Sequence, residues 1–314
     1  MPFGLIDWVF VKSANATAKL GLSGLTFSLY QWHYASAKRF LMNILSDTLA
    51  KYKVVSSPAA AEPTKDIYML WFQGFDNVPP AVDLCAAQAA RLQGYNLRKL
   101  SIADIQSLPI DENLKRKFEE RKISFAHYSD IVRAFLLSHY GGVWMDATLL
   151  ASGLPADLTS HSFYTCHHWS DGSFVSNPSF VKNADGFESL WTGFFMYSRR
   201  GDIVTSFLYD AFCEYWDKMD YLVDYFLIDM IIRLGYDEIP EIRKEIDLVP
   251  CNNPGSLYSL RGLLEIGTEW NEQKWDSLNQ YILNIHKLDK GIQFPADGDS
   301  FAAGLTRRLG SQNI

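Results

Sequence analysis

One stretch, SFAHYSDIVRAFLLSHYGGVWMDATLL from Ser124 to Leu150, restricts this chain more than any other. Ile131, Val132, Phe135 and Leu136 recur at helical spacing and predict a core-facing stripe. Asp130 and Arg133 are three residues apart, so they share a face of that helix and can act as neighbours. Tyr140-Gly141-Gly142 predicts where the helix stops, with glycine supplying the left-handed cap residue. Val143-Trp144-Met145 is then a short buried strand, and Asp146 stands at its carboxyl end. Open α/β sheets bind their ligands at that end of their strands. A carboxylate there, preceded by a charged pair on the adjacent helix, reads as a site rather than as packing.

The flanking sequence alternates in the same way. Ile67–Phe72 is a continuous apolar run followed by Gln73-Gly74, which suits a buried first strand. Pro79-Pro80 starts a helix through Val82 to Leu92, and Tyr95–Leu100 reads as a second strand. Residues 104–122 form a helical pair interrupted at Pro109. Alternating strand and helix implies a parallel, doubly wound sheet. Beyond Leu150, Phe163–Cys166 predicts a strand, and Asn177–Phe180 a turn into another. Ser189–Met196 reads as the start of a helix. Ile203–Tyr215 and Tyr221–Leu234 are helices by period, the second ended by Gly235. Leu257–Leu264 is loop or short helix, and Tyr281–Leu288 a late strand running into a polar tail. No internal repeat is present.

Residues 1–55 differ in character. Apolar and aromatic patches there are separated by Lys12, Lys19, Lys38, Arg39, Lys51 and Lys53, against only Asp7 and Asp47. Two readings compete. One is amphipathic helices on an anionic membrane surface, with Trp8 and Trp32 at headgroup level. The other is a helical appendage packed on the main domain or on a second subunit. Ser56–Pro63 reads as the linker that follows.

The totals exclude some classes. A formal charge of −7 argues against a nucleic-acid binder, which carries a basic excess. Cys85, Cys166, Cys213 and Cys251 are isolated, with no CxxC spacing, and suit reduced thiols in the cytoplasm. No apolar run is long enough to cross a membrane, and the amino terminus lacks a secretory signal pattern. A cytoplasmic protein is expected, held peripherally at the inner face of the membrane if residues 1–55 bind lipid. A homo-oligomer stays open.

The run SDxxRxxLLxxYGGxWxDAT, Ser129 to Thr148, resembles the capsular polysaccharide synthesis proteins, relatives of the glycosyltransferase family 32 sugar transferases. The same helix–strand element occurs in the glucosylating clostridial toxins. The resemblance covers roughly Lys65 to Lys290 and leaves out the first sixty residues. It implies an α/β fold of the GT-A type, a Rossmann-like and mostly parallel sheet flanked by helices, over residues 61–314. Residues 1–60 would be the helical appendage.

Site residues follow from the resemblance. Asp146-Ala147-Thr148 takes the place of a DxD motif, whose aspartates in relatives hold a divalent cation on the diphosphate of a nucleotide sugar. A hard cation with oxygen ligands stabilises the leaving diphosphate. Thr148 replaces the second carboxylate with a much weaker ligand. Asp130 and Arg133 resemble the pair that holds the donor sugar; as a mere surface ion pair they would be worth at most about 1 kcal/mol. Trp71 stands where relatives stack an aromatic on uracil, with Gln73 beside it. His286 resembles a histidine that completes the metal site, with Lys287 or Lys290 as the diphosphate clamp. Asp224 and Asp229 flank an apolar run, and either suits orienting an acceptor hydroxyl. His161, His167 and His168 lack zinc-ligand spacing.

The expected function is transfer of a hexose, galactose or glucose, from a UDP-sugar to a polyprenyl-diphosphate-linked capsular repeat unit. The resemblance implies retention of configuration, with Mn²⁺ or Mg²⁺ as cofactor. Two alternatives stay open: a metal-independent transferase in which lysines replace the cation, and a non-catalytic nucleotide- or glycan-binding member of a membrane synthesis complex.

Overall fold

The computed structural model describes residues 12–55, 61–170 and 177–310, apart from positions 15, 185, 254, 256 and 296. Trp8 and most of the 56–63 linker fall outside the described residues. A short helical stretch ends at residue 19, and helices α1 (Ser23–Ile44) and α2 (Ser46–Lys53) follow. Strand β1 (Asp66–Leu70) follows the apolar run and is buried from Ile67 onward. Helix α3 (Pro80–Ala89) starts on a first-turn proline, where the missing N–H would have no helical partner anyway. Strand β2 (Asn96–Leu100) lies parallel to β1, with Asp66 beside Asn96. The helical pair is α4 (Ile102–Gln106) and α5 (Glu112–Glu119), the latter capped by Asp111, whose carboxylate accepts from the N–H groups of Asn113 and Leu114.

Helix α6 (Phe125–Tyr140) begins at Ser124, whose hydroxyl accepts from the His127 N–H, and it buries Ile131, Val132, Phe135 and Leu136 as its spacing requires. It stops at Gly141 and Gly142, whose φ values are +71° and +108°. A Cβ on Gly142 would also sit 2.6 Å from the Asp66 carbonyl oxygen. Glycine is therefore needed twice over, for the turn and for the approach of β3 (Gly142–Met145) to β1. The two strands then pair in parallel, Ile67 beside Val143.

Strand β4 (Leu149–Gly153) leaves this sheet, and β5 (Phe163–Thr165) rejoins it at the far edge. A small antiparallel sheet follows, made of β6 (His168–Ser170), β7 (Phe180–Asn183) and β8 (Gly186–Ser189). Strand β9 (Phe195–Ser198) returns between β3 and β5 and runs antiparallel to both. The main sheet has the order β2-β1-β3-β9-β5, so it is parallel across three strands and mixed beyond β3. The helix expected from Ser189 to Met196 is instead the end of β8, a turn and the start of β9. Short apolar runs carry no decisive period, and here Trp191, Phe195 and Met196 are all fully buried.

The remaining elements are α7 (Ile203–Lys218), α8 (Leu227–Glu238), α9 (Pro240–Asp247), α10 (Ser259–Ile266), α11 (Glu272–Leu278), β10 (Asn284–Lys287) and α12 (Phe301–Gly310). The helix expected from Tyr221 begins only at Leu227. Asp224 accepts the Phe226 N–H at 2.7 Å, a local hydrogen bond that competes with helix. Gly235 lies inside α8 rather than ending it, because a Cβ there would meet the Phe207 ring of α7 at 2.8 Å. Strand β10 pairs antiparallel with β4 and so brings the late sequence back beside Asp146. All four cysteines are free thiols. Among the described residues, no helix is long and apolar enough to cross a membrane.

The first two helices pack on this body. Tyr34, Ala37, Leu41, Leu45, Leu49 and Tyr52 belong to the same apolar core as the sheet. Three of their cations are matched within the chain: Lys38 lies 2.9 Å from both Asp237 and Glu238, Lys51 2.6 Å from Asp210, and Lys53 3.3 Å from Glu238. Half of the cations that suggested an anionic surface thus face carboxylates on α7 and α8. Burial rather than charge should hold these helices. Leu41 is fully buried, so Leu41→Ala is expected to cost about 2–5 kcal/mol. Lys51→Ala breaks an exposed pair and should cost less than about 1 kcal/mol. Denaturant unfolding of the two variants checks this, and equal costs would reverse the assignment.

Candidate functional site

The chain passes from β1 to β2 on one side and then to β3 on the other, so the carboxyl ends of β1 and β3 flank a topological switch point. Ligand crevices of open α/β sheets form at such points. A cleft of about 790 Å³ opens there, and Trp71, Asp130, Arg133, Asp146, Asp229 and Lys287 all line it. That volume lies within the usual range of small-molecule and cofactor sites.

Asp146 is its centre. The Oδ1 atom accepts from Trp144 Nε1 at 3.0 Å and from Arg133 Nη2 at 3.2 Å, and Oδ2 accepts from Lys287 Nζ at 2.7 Å. Trp144 stands two residues earlier, on the same face of the extended chain. Burial alone would raise the Asp146 carboxyl, but the charges of Lys287 and Arg133 outweigh it and hold the group well below the usual carboxylate range. Arg133 is itself buried, 5% exposed, with its guanidinium 5.0 Å from the Trp144 ring centre. The same Nη2 lies 3.3 Å from Asp130 Oδ1, and Arg133 Nε has no partner among the described residues. Gly193 makes room for this side chain, since a Cβ there would fall 2.6 Å from Nη1.

Two further carboxylates behave in the opposite sense. Burial pushes Asp130 up to about 7, Arg133 only partly opposing it while Asp229 and Asp146 add repulsion. Asp229 accepts from Asn177 Nδ2 at 2.8 Å and from Trp191 Nε1 at 3.0 Å. Burial pushes it up to about 6 despite those bonds and Arg133. The cleft therefore combines one firmly ionised carboxylate with two that take up protons near neutrality.

The other expected residues divide. Trp71 is half-buried and Gln73 exposed directly after β1, both on the cleft wall. Lys287 points inward from β10, and the exposed Lys290 lines the same cleft. His286 does not. Neighbouring strand residues face opposite ways, and His286 is fully buried, with Nε2 3.1 Å from Asn279 Oδ1 and its ring 5.7 Å from Trp275. Lys287 Nζ, 3.0 Å from Thr148 Oγ1 and 2.7 Å from Asp146 Oδ2, stands between the two oxygens meant for a cation. Asp146, Thr148 and His286 thus form no ligand set, and a hard divalent ion, which needs several oxygen donors, does not fit these residues. No group of three or more His, Cys, Asp or Glu suited to a metal occurs among the described residues, His161, His167 and His168 included.

Asp224 also lies outside the cleft. Its Oδ2 accepts from His33 Nε2 at 2.8 Å, and it lines a separate, smaller cavity. Only Asp229 of that pair reaches the cleft. Sequence reasoning missed Trp144, Trp191 and Asn177, whose N–H groups orient Asp146 and Asp229. Trp144 alone carried a signal, through strand alternation with Asp146.

The model of the capsular polysaccharide synthesis protein family matches residues 26–301. The chain belongs to this family. The match takes in most of α1 and all of α2, beyond the Lys65–Lys290 span of the resemblance. Among solved structures, the PaToxG glycosyltransferase is similar, with a TM-score of 0.41 and 14% identity over 68% of this chain and 82% of that one. A search of the curated proteins gives no match.

The raised carboxylates have a consequence for this capsular polysaccharide synthesis protein. Asp130 keeps its proton up to about 7 in the folded state, whereas an unfolded aspartate loses it near pH 4 (about 3.9). Across that window the folded chain binds more protons, so this group's contribution to stability falls as pH rises. Asp146 acts oppositely: its contribution is present above the unfolded value and is lost as pH falls through the depressed folded one. Asp130→Asn is therefore expected to flatten the decline of the thermal midpoint between about pH 4 and 7. A decline as steep as the wild type's would assign it to other groups.

Proposed function

We propose that this protein is a GT-A-type glycosyltransferase that moves a hexose, galactose or glucose, from a UDP-sugar to a lipid-linked repeat unit with retention of configuration. The observation that carries this reading is the convergence of Arg133 and Lys287 on Asp146 in the switch-point cleft. Trp71 offers the uracil a flat face at the end of β1. Asp130 and Arg133 orient the donor sugar, and Asp229 accepts from a hydroxyl of the acceptor. The acceptor oxygen bonds to the anomeric carbon on the face from which the diphosphate departs. The bond from that carbon to the phosphate oxygen breaks, its electron pair leaves with UDP, and the acceptor's proton passes to the departing phosphate.

Negative charge grows on the diphosphate during this step, and a fixed cation beside it lowers the barrier. We assign that work to Lys287, with Lys290 assisting, rather than to a divalent ion. An ammonium has three N–H donors; Asp146 and Thr148 take two, leaving one for a phosphate oxygen. The acceptor would be carried on a polyprenyl diphosphate. Leu20, Leu22, Leu25 and Trp32 are exposed on and before α1, and we assign them to contact with the membrane surface that holds it.

The test is release of UDP from a panel of UDP-sugars without acceptor, in Mn²⁺ and in EDTA. One sugar should be hydrolysed equally in both, with activity lost in Asp146→Ala and reduced roughly 10²–10³-fold in Lys287→Ala. Activity that vanishes in EDTA would return the role to a metal. UDP binding without turnover, across donors and acceptors, would make the protein a nucleotide-binding member of a synthesis complex.

A further inference from the structure

A second cavity, of about 270 Å³, lies where α1 meets the loop that precedes α8. It is too small for a nucleotide sugar and of a size for one sugar ring. Helix α1 supplies Tyr30, Gln31, His33 and Tyr34, and the loop supplies Asp224 and Phe226. A pyranose has apolar C–H faces and a rim of hydroxyls, so its recognition needs flat aromatic walls beside fixed polar groups. Both are present.

Asp224 is held in place before any ligand arrives. His33 Nε2 donates to Oδ2 at 2.8 Å, and the Phe226 N–H donates to Oδ1 at 2.7 Å. A carboxylate has about four lone-pair sites, so acceptor capacity remains on both oxygens. His33 and Asp224 have side chains only 5% and 16% exposed, which fixes the direction in which that capacity points.

The cavity also adjoins the donor cleft. Asn177, Tyr225 and Phe226 line both. Asn177 donates to Asp229, the cleft carboxylate, at 2.8 Å. Tyr225 is 66% exposed at this shared rim, its ring braced by edge contacts to Phe226 and His127 at 5.3 Å and 5.5 Å. Its carbonyl accepts from His127 Nε2 at 3.2 Å. The family match begins at residue 26, inside α1, so the helix that walls the cavity is part of the matched unit.

We propose that this cavity is the acceptor subsite, holding the terminal pyranose of the glycan against Tyr30 and Phe226 and hydrogen-bonding it to Asp224 and Gln31. The inference rests on the transferase reading. It makes α1 a part of the active site, and it gives Asp224 a role as a binding group rather than a catalytic one.

The experiment is saturation-transfer NMR on the full chain with methyl glycosides of glucose, galactose, mannose and N-acetylglucosamine, with and without saturating UDP. UDP affinity is measured on the same samples by calorimetry. At least one glycoside should receive saturation and keep it when UDP is bound. Tyr30→Ala, and separately the milder Gln31→Ala, should weaken that glycoside by about tenfold, as loss of a ring contact or hydrogen bond does, with UDP affinity and thermal midpoint unchanged in at least Gln31→Ala. Displacement of the glycoside by UDP, insensitivity to both substitutions, or silence from every glycoside would overturn the proposal. A glycoside that binds through Tyr30 while UDP does not bind would instead keep the sugar site and refute the donor reading.

Discussion

A carboxylate drawn half out of water is tolerated only when its charge is answered, and in this chain the answer to Asp146 draws on both ends of the fold. Arg133 reaches it from α6, Trp144 from β3 and Lys287 from β10, on the far side of 140 residues. Each contact imposes a requirement elsewhere. The Arg133 reach needs α6 to turn back at once into β3, which is why Gly141 and Gly142 cannot carry a Cβ. The Lys287 reach needs β10 to pair with β4, and β4 itself starts only three residues after Asp146. The Leu288 N–H donating to the Thr148 carbonyl at 2.9 Å locks that return. The ion cluster and the chain topology are therefore one construction.

The charge balance of the cleft depends on which carboxylates are ionised. Asp130, Asp146 and Asp229 would cancel Arg133, Lys287 and Lys290 if all were charged. They are not equivalent: Asp146 is held ionised by its partners, while burial pushes Asp130 up to about 7 and Asp229 up to about 6. Near neutrality the cations therefore exceed the anions for part of the population. On the reading proposed above, a cleft of that balance would attract a diphosphate without a divalent ion.

What could be read in advance follows the range of the interactions involved. The helix, stop and strand of Ser124–Leu150 were legible because a period, a glycine pair and an apolar triplet are local signals. Trp71 and Asp146 could be placed at strand ends for the same reason. His286 could not be told from Lys287, because side chains alternate along β10 and a shift of one residue exchanges their faces. That register is set by pairing with β4, with an irregularity between Asn284 and Ile285 that no local pattern announces. Asp224 and Asp229 looked alike as two ends of one apolar run. The helix start at Leu227 separates them, leaving one in the cleft and the other against His33. The cations of the first two helices read as a surface for anionic lipid, since Asp210, Asp237 and Glu238 lie more than 150 residues away.

Helix α1 then has two sides with different duties. Tyr34, Ala37 and Leu41 face the body and are buried, while Leu25 and Trp32 stand 51% and 68% exposed. Tyr30, Gln31, His33 and Tyr34 wall the small cavity between the helix and the loop at Asp224. A lipid-linked glycan is itself two-sided, a sugar that must enter a polar pocket and a polyprenyl chain that must stay in the bilayer. On the proposed reading, a helix anchored in the core, with a sugar-sized cavity on one flank and apolar side chains outward, would place both parts of such an acceptor within one turn or two of each other. An open cavity beside the cleft is what the proposed acceptor-binding role for α1 requires.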